Sequence, residues 1–553
     1  MHKNRNAKTQ RRKDAKKEIS PSLRLCAFAS LRFCSYAQRH RYQFLLCLIL
    51  ALKTACMIFT ILHAGIGLSP DEAQYWTWSQ FLDWGYYSKP PGIAWEIWLG
   101  TKLLGNTELG VRAIPLLLGN LIPMLVYFTA WCCRLPSRTC FWASIMIALT
   151  PIGIFASLLA ITDGGMVFFW TAACACIAYH IERKQQRWLY LWVGLCVLAG
   201  ALFKWPIYFL WLLLPIISLL TPQVRSYKIF LGIIVSLVAL LPTIYWNTIH
   251  EWATFRHVGA TLAGGHESTK SLIQPLSVLG FLGAQAALVS PILFILLLMA
   301  FWTMYRQWHT IPTGVRFCGS IAFLSLTIGT LCSFFIKIQG NWVIFAYPTA
   351  FVLLSWYVFE EGKARQRWLA GGLALSVIVS SILLTIPKIQ SSGFMGKEIS
   401  IPYRMNPFRH NVGWDNLKIA LEKSGYDLKT DFLLSHTYQT TSILSFYGPE
   451  QKRAYFINLT GRRKNQFSFW PGIEQEQQGK KGFFIVVENI PQLTRNLDEM
   501  IETYSKEMAS YFETVRFVDT YPLFFAYDKM AKGALIFECT NYNGMLPPNT
   551  DQY

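Results

Sequence analysis

Two neighbouring carboxylates, Asp71 and Glu72, open a polar, aromatic stretch that closes on one cation, Lys89, held against a Pro90-Pro91 step. The stretch lies between apolar runs. An ionised side chain at a helix centre there costs roughly 2.5–3.5 kcal/mol unless it meets water or a polar cavity. The pattern therefore describes a site at a membrane surface, with a base at one end and an anion holder at the other. A plainer account also fits the acids alone: Ser69-Pro70-Asp71-Glu72 is a sound helix start, with proline in the first turn and acids near the positive helix end. The chemical reading gains weight because other juxtamembrane groups have matching character. Asp163 follows Thr162 at the head of an apolar helix, where it is equally suited to capping. Lys204 sits in Phe203-Lys204-Trp205-Pro206, either as an interfacial lysine with its stem in lipid or as a phosphate contact. Arg256 and His257 lie in a loop with His250, Glu251 and His266, whose spacing matches no metal motif. Asn341-Trp342 returns a further polar, aromatic border. Candidate catalytic acids are thus Asp71, Glu72 and Asp163. Lys89 is the leading phosphate contact, with Lys204 and Arg256 behind it, and Tyr75, Tyr86, Tyr87, His257, Asn341 and Trp342 are candidate lining.

These residues need a scaffold, and composition specifies one. The 553-residue chain is 53% apolar, only 15% charged, and has a mean hydropathy of +0.30. Soluble domains carry about 25% charged residues. Apolar runs near 43–66, 109–131, 139–160, 164–181, 188–203, 206–220, 228–246, 273–302, 316–336, 341–359 and 367–387 approach the ~20 residues that cross a bilayer. They predict a polytopic α-helical membrane domain over 43–387 with about eleven to thirteen spans. The amphipathic stretch 93–104 is the main ambiguity in that count. Alternate loops rich in Lys and Arg place the N-terminus inside, which puts the loop 67–108 and the C-terminal region outside. Beyond residue 387, short β-rich runs alternate with helical segments, so 388–553 reads as a small extracytoplasmic α/β domain.

The net charge of +20 does not point to nucleic acid. About half of it lies in a basic tail, 1–42, which has no aromatic interleaving and reads as a disordered cytoplasmic arm near anionic lipid. Most of the thirteen cysteines lie in or beside apolar runs and form no disulfide framework. No phosphate-binding loop, zinc-hydrolase motif, dinucleotide fingerprint, nucleophile elbow or Asp-x-Asp metal holder occurs. No cofactor is required by any motif, and none supports a divalent metal.

The order Asp71-Glu72-Ala73-x-Tyr75-Trp76, then Trp84-Gly85-Tyr86-Tyr87-x-x-Pro90-Pro91, then Glu108-Leu-Gly-Val-Arg112 resembles bacterial GT-C integral-membrane glycosyltransferases of family 39. These are relatives of the protein O-mannosyltransferases and the lipid A aminoarabinose transferases. Thr162-Asp163, Trp246-Asn247, Gln339-Gly340-Asn341-Trp342 and the run Gly461-Arg462-Arg463-Lys464-Asn465-Gln466 extend the resemblance in the same order over roughly 43–475. It implies a sugar carried on a polyprenyl phosphate and passed to an envelope lipid, glycan or protein at the outer face of a bacterial inner membrane, and one carboxylate acting as base suffices for a single inverting displacement. By the same resemblance Asp71 matches the general base, Lys89 a donor-phosphate lysine, and Asp163 a second acidic position. Ser88 departs from relatives that place Glu or His there, so no metal contact is carried over. The rival class is a polytopic lipid or solute transporter or flippase without transferase activity. It would show internal repeats or interrupted helices meeting at the bilayer midplane, and the sequence shows neither.

Overall fold

Most of the apolar runs become helices in the computed structural model, which describes residues 40–184, 188–262, 275–336, 338–360, 363–393, 397, 399, 401–459, 461–548, 550 and 552. Most of the basic tail, His266 and Lys337 lie outside the described residues. Seven described helices are long and apolar enough to cross a membrane, and two bent pairs raise the number to nine. That is fewer than the eleven to thirteen expected. The shortfall is the two shorter apolar helices Leu189–Ala201 and Trp205–Leu220, parted by the segment that carries Lys204. The Gly92–Leu104 helix has 13 residues, about 20 Å, too short to span.

Both bends have local causes. Pro151 follows an extended Thr150, and the Ser137–Leu149 and Pro151–Leu158 helices turn by 58° there. Ser290 takes φ 85° before Pro291, its hydroxyl accepts from the Leu293 N–H, and the chain turns by 105°. By contacts the chain divides into Met1–Leu52 and Lys53–Tyr553, and every site residue belongs to the second unit.

The C-terminal region builds one five-stranded sheet from β1 (Phe432–Ser435), β2 (Tyr455–Phe456), β3 (Gly482–Asn489), β4 (Phe512–Ala526) and β5 (Lys529–Tyr542), in the order β2-β1-β3-β5-β4. β1 runs parallel to both β2 and β3, while β5 is antiparallel to β3 and β4. The period-two pattern gives the sheet two buried faces. Phe483, Ile485, Ala534 and Ile536 face one core, and Phe484, Val486, Leu535 and Phe537 the other. The first core does not stop at the expected boundary of 388. It also contains Leu68, Trp76, Ile93 and Val111, so the sheet and the 67–108 stretch share one hydrophobic interior. Trp76 packs edge-on against Phe446 at 4.9 Å, and the Leu68 N–H donates to the Tyr447 hydroxyl at 2.7 Å. That common core fixes the height of Asp71 against the sheet.

Candidate active site

A polar cavity of about 440 Å³ opens between the 67–108 stretch and the ends of the sheet strands. Asp71 and Lys89 both line it, as do Tyr75, Tyr87 and His257. The Pro70–Gln80 helix starts from a capping box: the Ser69 hydroxyl accepts from the Glu72 N–H, and the Glu72 carboxylate accepts from the Ser69 N–H. The first turn then points its two acids in opposite directions. Asp71 faces the cavity, where the Tyr438 hydroxyl donates to its Oδ1 at 3.5 Å. Protein walls around it raise the Asp71 pKa by desolvation, against the opposing pull of Lys89 and the Tyr438 hydrogen bond.

Glu72, expected to share the chemistry, turns into the protein and does not line the cavity. It and Arg112 are both fully buried, paired at 2.9 Å from Nε and 3.0 Å from Nη2. Glu72 also accepts the Ala160 N–H at 2.9 Å, and Arg112 donates to the Ile66 and Gly67 carbonyls. Burial alone would raise the Glu72 pKa, but Arg112 and the backbone donors more than offset this and hold it below the usual range. The pair is a clasp between three segments.

Lys89 reaches the cavity because the turn behind it is docked. The Gly92 N–H donates to the Leu202 carbonyl at 2.8 Å, and a Cβ at Gly92 would stand 2.7 Å from that oxygen. The same contact brings Lys89 next to the Leu202–Lys204 segment. Gly165 lets Phe203 approach, since a Cβ there would lie 2.4 Å from the ring, and this seats Asp163 beside Lys204. Lys204 Nζ pairs with both Asp163 oxygens at 2.9 and 3.1 Å, and Asn341 Nδ2 stands 3.5 Å from Oδ2. Asp163, Lys204 and Asn341 thus form a paired cluster behind Lys89 rather than cavity wall. The Lys89 carbonyl accepts from the Tyr86 N–H at 3.1 Å, while its ammonium makes no hydrogen bond or ion pair among the described residues. Its pKa is lowered by burial first and by Lys204 second, with Asp163 and Asp71 opposing.

Other expected lining residues divide. The Tyr87 N–H donates to Gln466 Oε1 at 2.7 Å, and the Tyr87 ring lies 4.8 Å from His257. His257 lies on the Ala253–Leu262 helix, which Thr254 ties to the site by donating to the Tyr86 carbonyl at 3.0 Å. Tyr86 is a framework residue, stacked on Trp78 at 4.6 Å with its hydroxyl donating to main-chain carbonyls. Trp342 is half-buried and stays off the wall, where Gln339 stands instead. Arg256 is exposed and does not line the cavity.

The sheet supplies a wall that the motif reading did not assign to the site: His436, Thr437, Tyr438, Arg462 and Arg463. Arg463 Nη1 stands 3.2 Å from His257 Nδ1. Burial, with Arg463 and Lys89 nearby, lowers the His257 pKa to about 4, so it is neutral near pH 7. Lys464 is paired with Glu251 at 2.8 Å. The signal for this wall was the three consecutive cations after a short strand. A lone tyrosine at 438 carries no such signal.

Residues 88–246 match the family described as dolichyl-phosphate-mannose-protein mannosyltransferase. The lipid A galacturonosyltransferase RgtD of Rhizobium johnstonii is 30% identical over 316 residues, 56% of this chain and 63% of that protein. The chain therefore spans less than two thirds of that curated relative. Two crystal structures of ArnT from Cupriavidus metallidurans share the fold at 13% identity. The apo form gives a TM-score of 0.56, covering 89% of this chain and 97% of that one. The form bound to undecaprenyl phosphate gives 0.58, covering 90% and 98%.

Proposed function

We propose that the chain is a multi-pass GT-C membrane transferase of the protein mannosyltransferase kind, which moves a sugar from a polyprenyl-phosphate carrier to an envelope lipid of the lipid A kind. The carrying observation is that an accessible carboxylate with a raised pKa, Asp71, and an ammonium without a partner among the described residues, Lys89, line one cavity between the 67–108 stretch and the sheet. The name of the lipid A relative supports the acceptor class, and the undecaprenyl phosphate bound to ArnT supports the carrier.

In this mechanism Asp71 removes the proton of the acceptor hydroxyl as its oxygen attacks the anomeric carbon. The bond from that carbon to the phosphate oxygen breaks on the opposite side, and the phosphate leaves with the electron pair. One displacement inverts the anomeric configuration. Lys89 and Arg463 stabilise the charge that grows on the leaving phosphate, so the step requires no divalent ion. The Asp163–Lys204 pair fixes the field behind Lys89, and Glu72–Arg112 holds the helix that aims Asp71. The site faces the extracytoplasmic side of a bacterial inner membrane, with the N-terminus cytoplasmic.

Mass spectrometry of envelope lipids from cells expressing wild-type or Asp71→Asn protein tests this reading. A lipid species heavier by one sugar should appear only with the wild type. Equal yield from the variant would remove Asp71 from the mechanism, and no sugar adduct with either protein would remove the activity.

A further inference from the structure

The C-terminal sheet contains a feature that sugar transfer at Asp71 and Lys89 does not use. From β1 the chain passes through the Tyr438–Tyr447 helix to β2 on one side, then returns to β3 on the other. That helix packs on one face of the sheet, while Ile473, Leu493 and Met508 from the later helices pack on the opposite face. The strand order therefore reverses at β1/β3. In open α/β sheets, ligands bind in the crevice outside the carboxyl ends of the strands at such a reversal.

Here the β1 side of that crevice, His436 and Thr437, lines the polar cavity. His436, the residue after β1, is 5% exposed and lines the cavity, and its Nδ1 is buried without a hydrogen-bond partner among the described residues. Its Nε2 stands 3.3 Å from the Tyr504 hydroxyl. Thr437 caps the ten-residue Tyr438–Tyr447 helix, whose positive end is thereby turned toward the same wall. Arg462 lines the wall too, on a loop closed by Asn458, which accepts from the Arg462 N–H and donates to its carbonyl. Of the four cations on the cavity wall, Lys464 is paired with Glu251 and Arg462 lies near Glu488 of β3, which leaves Lys89 and Arg463 facing Asp71.

We propose that the β1/β3 crevice, built from His436, the Thr437 helix start and Arg462, is a second anion subsite that takes a phosphate or carboxylate group distinct from the donor phosphate at Lys89. The oxyanion belongs either to the acceptor headgroup or to the transferred sugar. Its identity as a substrate group rests on the transferase reading, whereas anion binding itself does not.

Equilibrium dialysis of the full chain in detergent against labelled inorganic phosphate tests the subsite without any turnover. The wild type should bind two phosphates per chain. Lys89→Gln should retain the crevice site, and Arg462→Gln, at an exposed position on a loop, should weaken that site at least tenfold while sparing the other. His436→Asn, checked for folding by its melting temperature, should act like Arg462→Gln. A single site that Lys89→Gln abolishes, or binding unchanged in Arg462→Gln, overturns the proposal. Steady-state transfer then separates the sources. A tenfold rise in KM for acceptor alone assigns the oxyanion to the acceptor. A rise in KM for donor, with lost preference for an acidic sugar, assigns it to the sugar. Unchanged values for both refute a role in substrate binding. If phosphate binds at two sites but no transfer is seen, only the transferase reading fails.

Discussion

Asp71 and Glu72 are adjacent in one helical turn, yet the fold gives them opposite circumstances. Glu72 meets Arg112 in a closed pair, desolvated on every side and saturated with hydrogen bonds. Asp71 faces Lys89 across open space, with one long hydrogen bond from Tyr438. The closed pair has its pKa pushed toward permanent charge, and the open pair has its two values pushed toward each other. A carboxylate that can still accept a proton and an ammonium that can still meet an anion are useful to chemistry. A locked pair is useful to architecture.

Breaking the open pair should have the largest effect. Asp71→Asn keeps the shape but removes the base, and a general base contributes roughly 10²–10⁴ in rate. A loss of that size in kcat for sugar transfer is expected, with the melting temperature unchanged. Glu72→Gln should do the reverse. Removing one partner of a buried pair costs about 3–5 kcal/mol because the other charge is left uncompensated. Chemical denaturation should register this loss, and activity should fall only with the folded fraction. The sign with pH follows from the depressed Glu72 value. Its stabilisation is present above the ordinary carboxyl range, near ~4.3, and is lost as pH falls through the lower folded value. The variant should lack that acid-side loss.

Lys89→Gln comes next. A hydrogen bond to a charged group contributes about 1.5–3 kcal/mol, so transfer efficiency should fall by roughly ten- to a hundred-fold. The open pair also predicts a bell-shaped pH profile of kcat/KM. Its acid limb should lie above the usual aspartate value of ~3.9, because Asp71 must be ionised and burial raises its pKa. Its alkaline limb should lie below the usual lysine value of ~10.4, because Lys89 must be charged and burial lowers its pKa. Limbs at the ordinary values would mean that these two groups do not govern the reaction.

The same contrast explains what could be read from the chain before its folding was known. Apolar length marks the spans, and the order of acids, tyrosines, Lys89 and prolines marks the loop, because both are properties of contiguous sequence. Glu72 was grouped with Asp71 because adjacency along a chain does not say which side of a helix faces solvent. Its partner Arg112 was visible as part of the Glu108–Arg112 motif but not as a partner, since the pairing depends on how two helices cross. Tyr86 looked like lining because aromatic loops line sites, whereas its hydroxyl is taken up by the Trp78 and Phe81 carbonyls. The 105° turn at Ser290 lay hidden inside a continuous apolar run, where hydropathy has no information about φ. Tyr438 and His436 reach the cavity only through the β1 register, which no local pattern specifies.

Tyr438→Phe offers the smallest and most discriminating perturbation of the open pair. The hydroxyl stands 3.5 Å from Asp71 Oδ1, at the outer limit of hydrogen-bond geometry, so its removal should cost at most about 1 kcal/mol. A donor to the ionised carboxylate lowers its pKa, and losing that donor must raise it further. The acid limb of the Tyr438→Phe profile should therefore move to higher pH while the plateau rate stays within a few-fold of wild type. A reduced plateau with an unmoved limb would mean that Tyr438 contacts the substrate instead. Because the limb belongs to Asp71 alone in this reading, the same substitution in an Asp71→Asn background should move nothing.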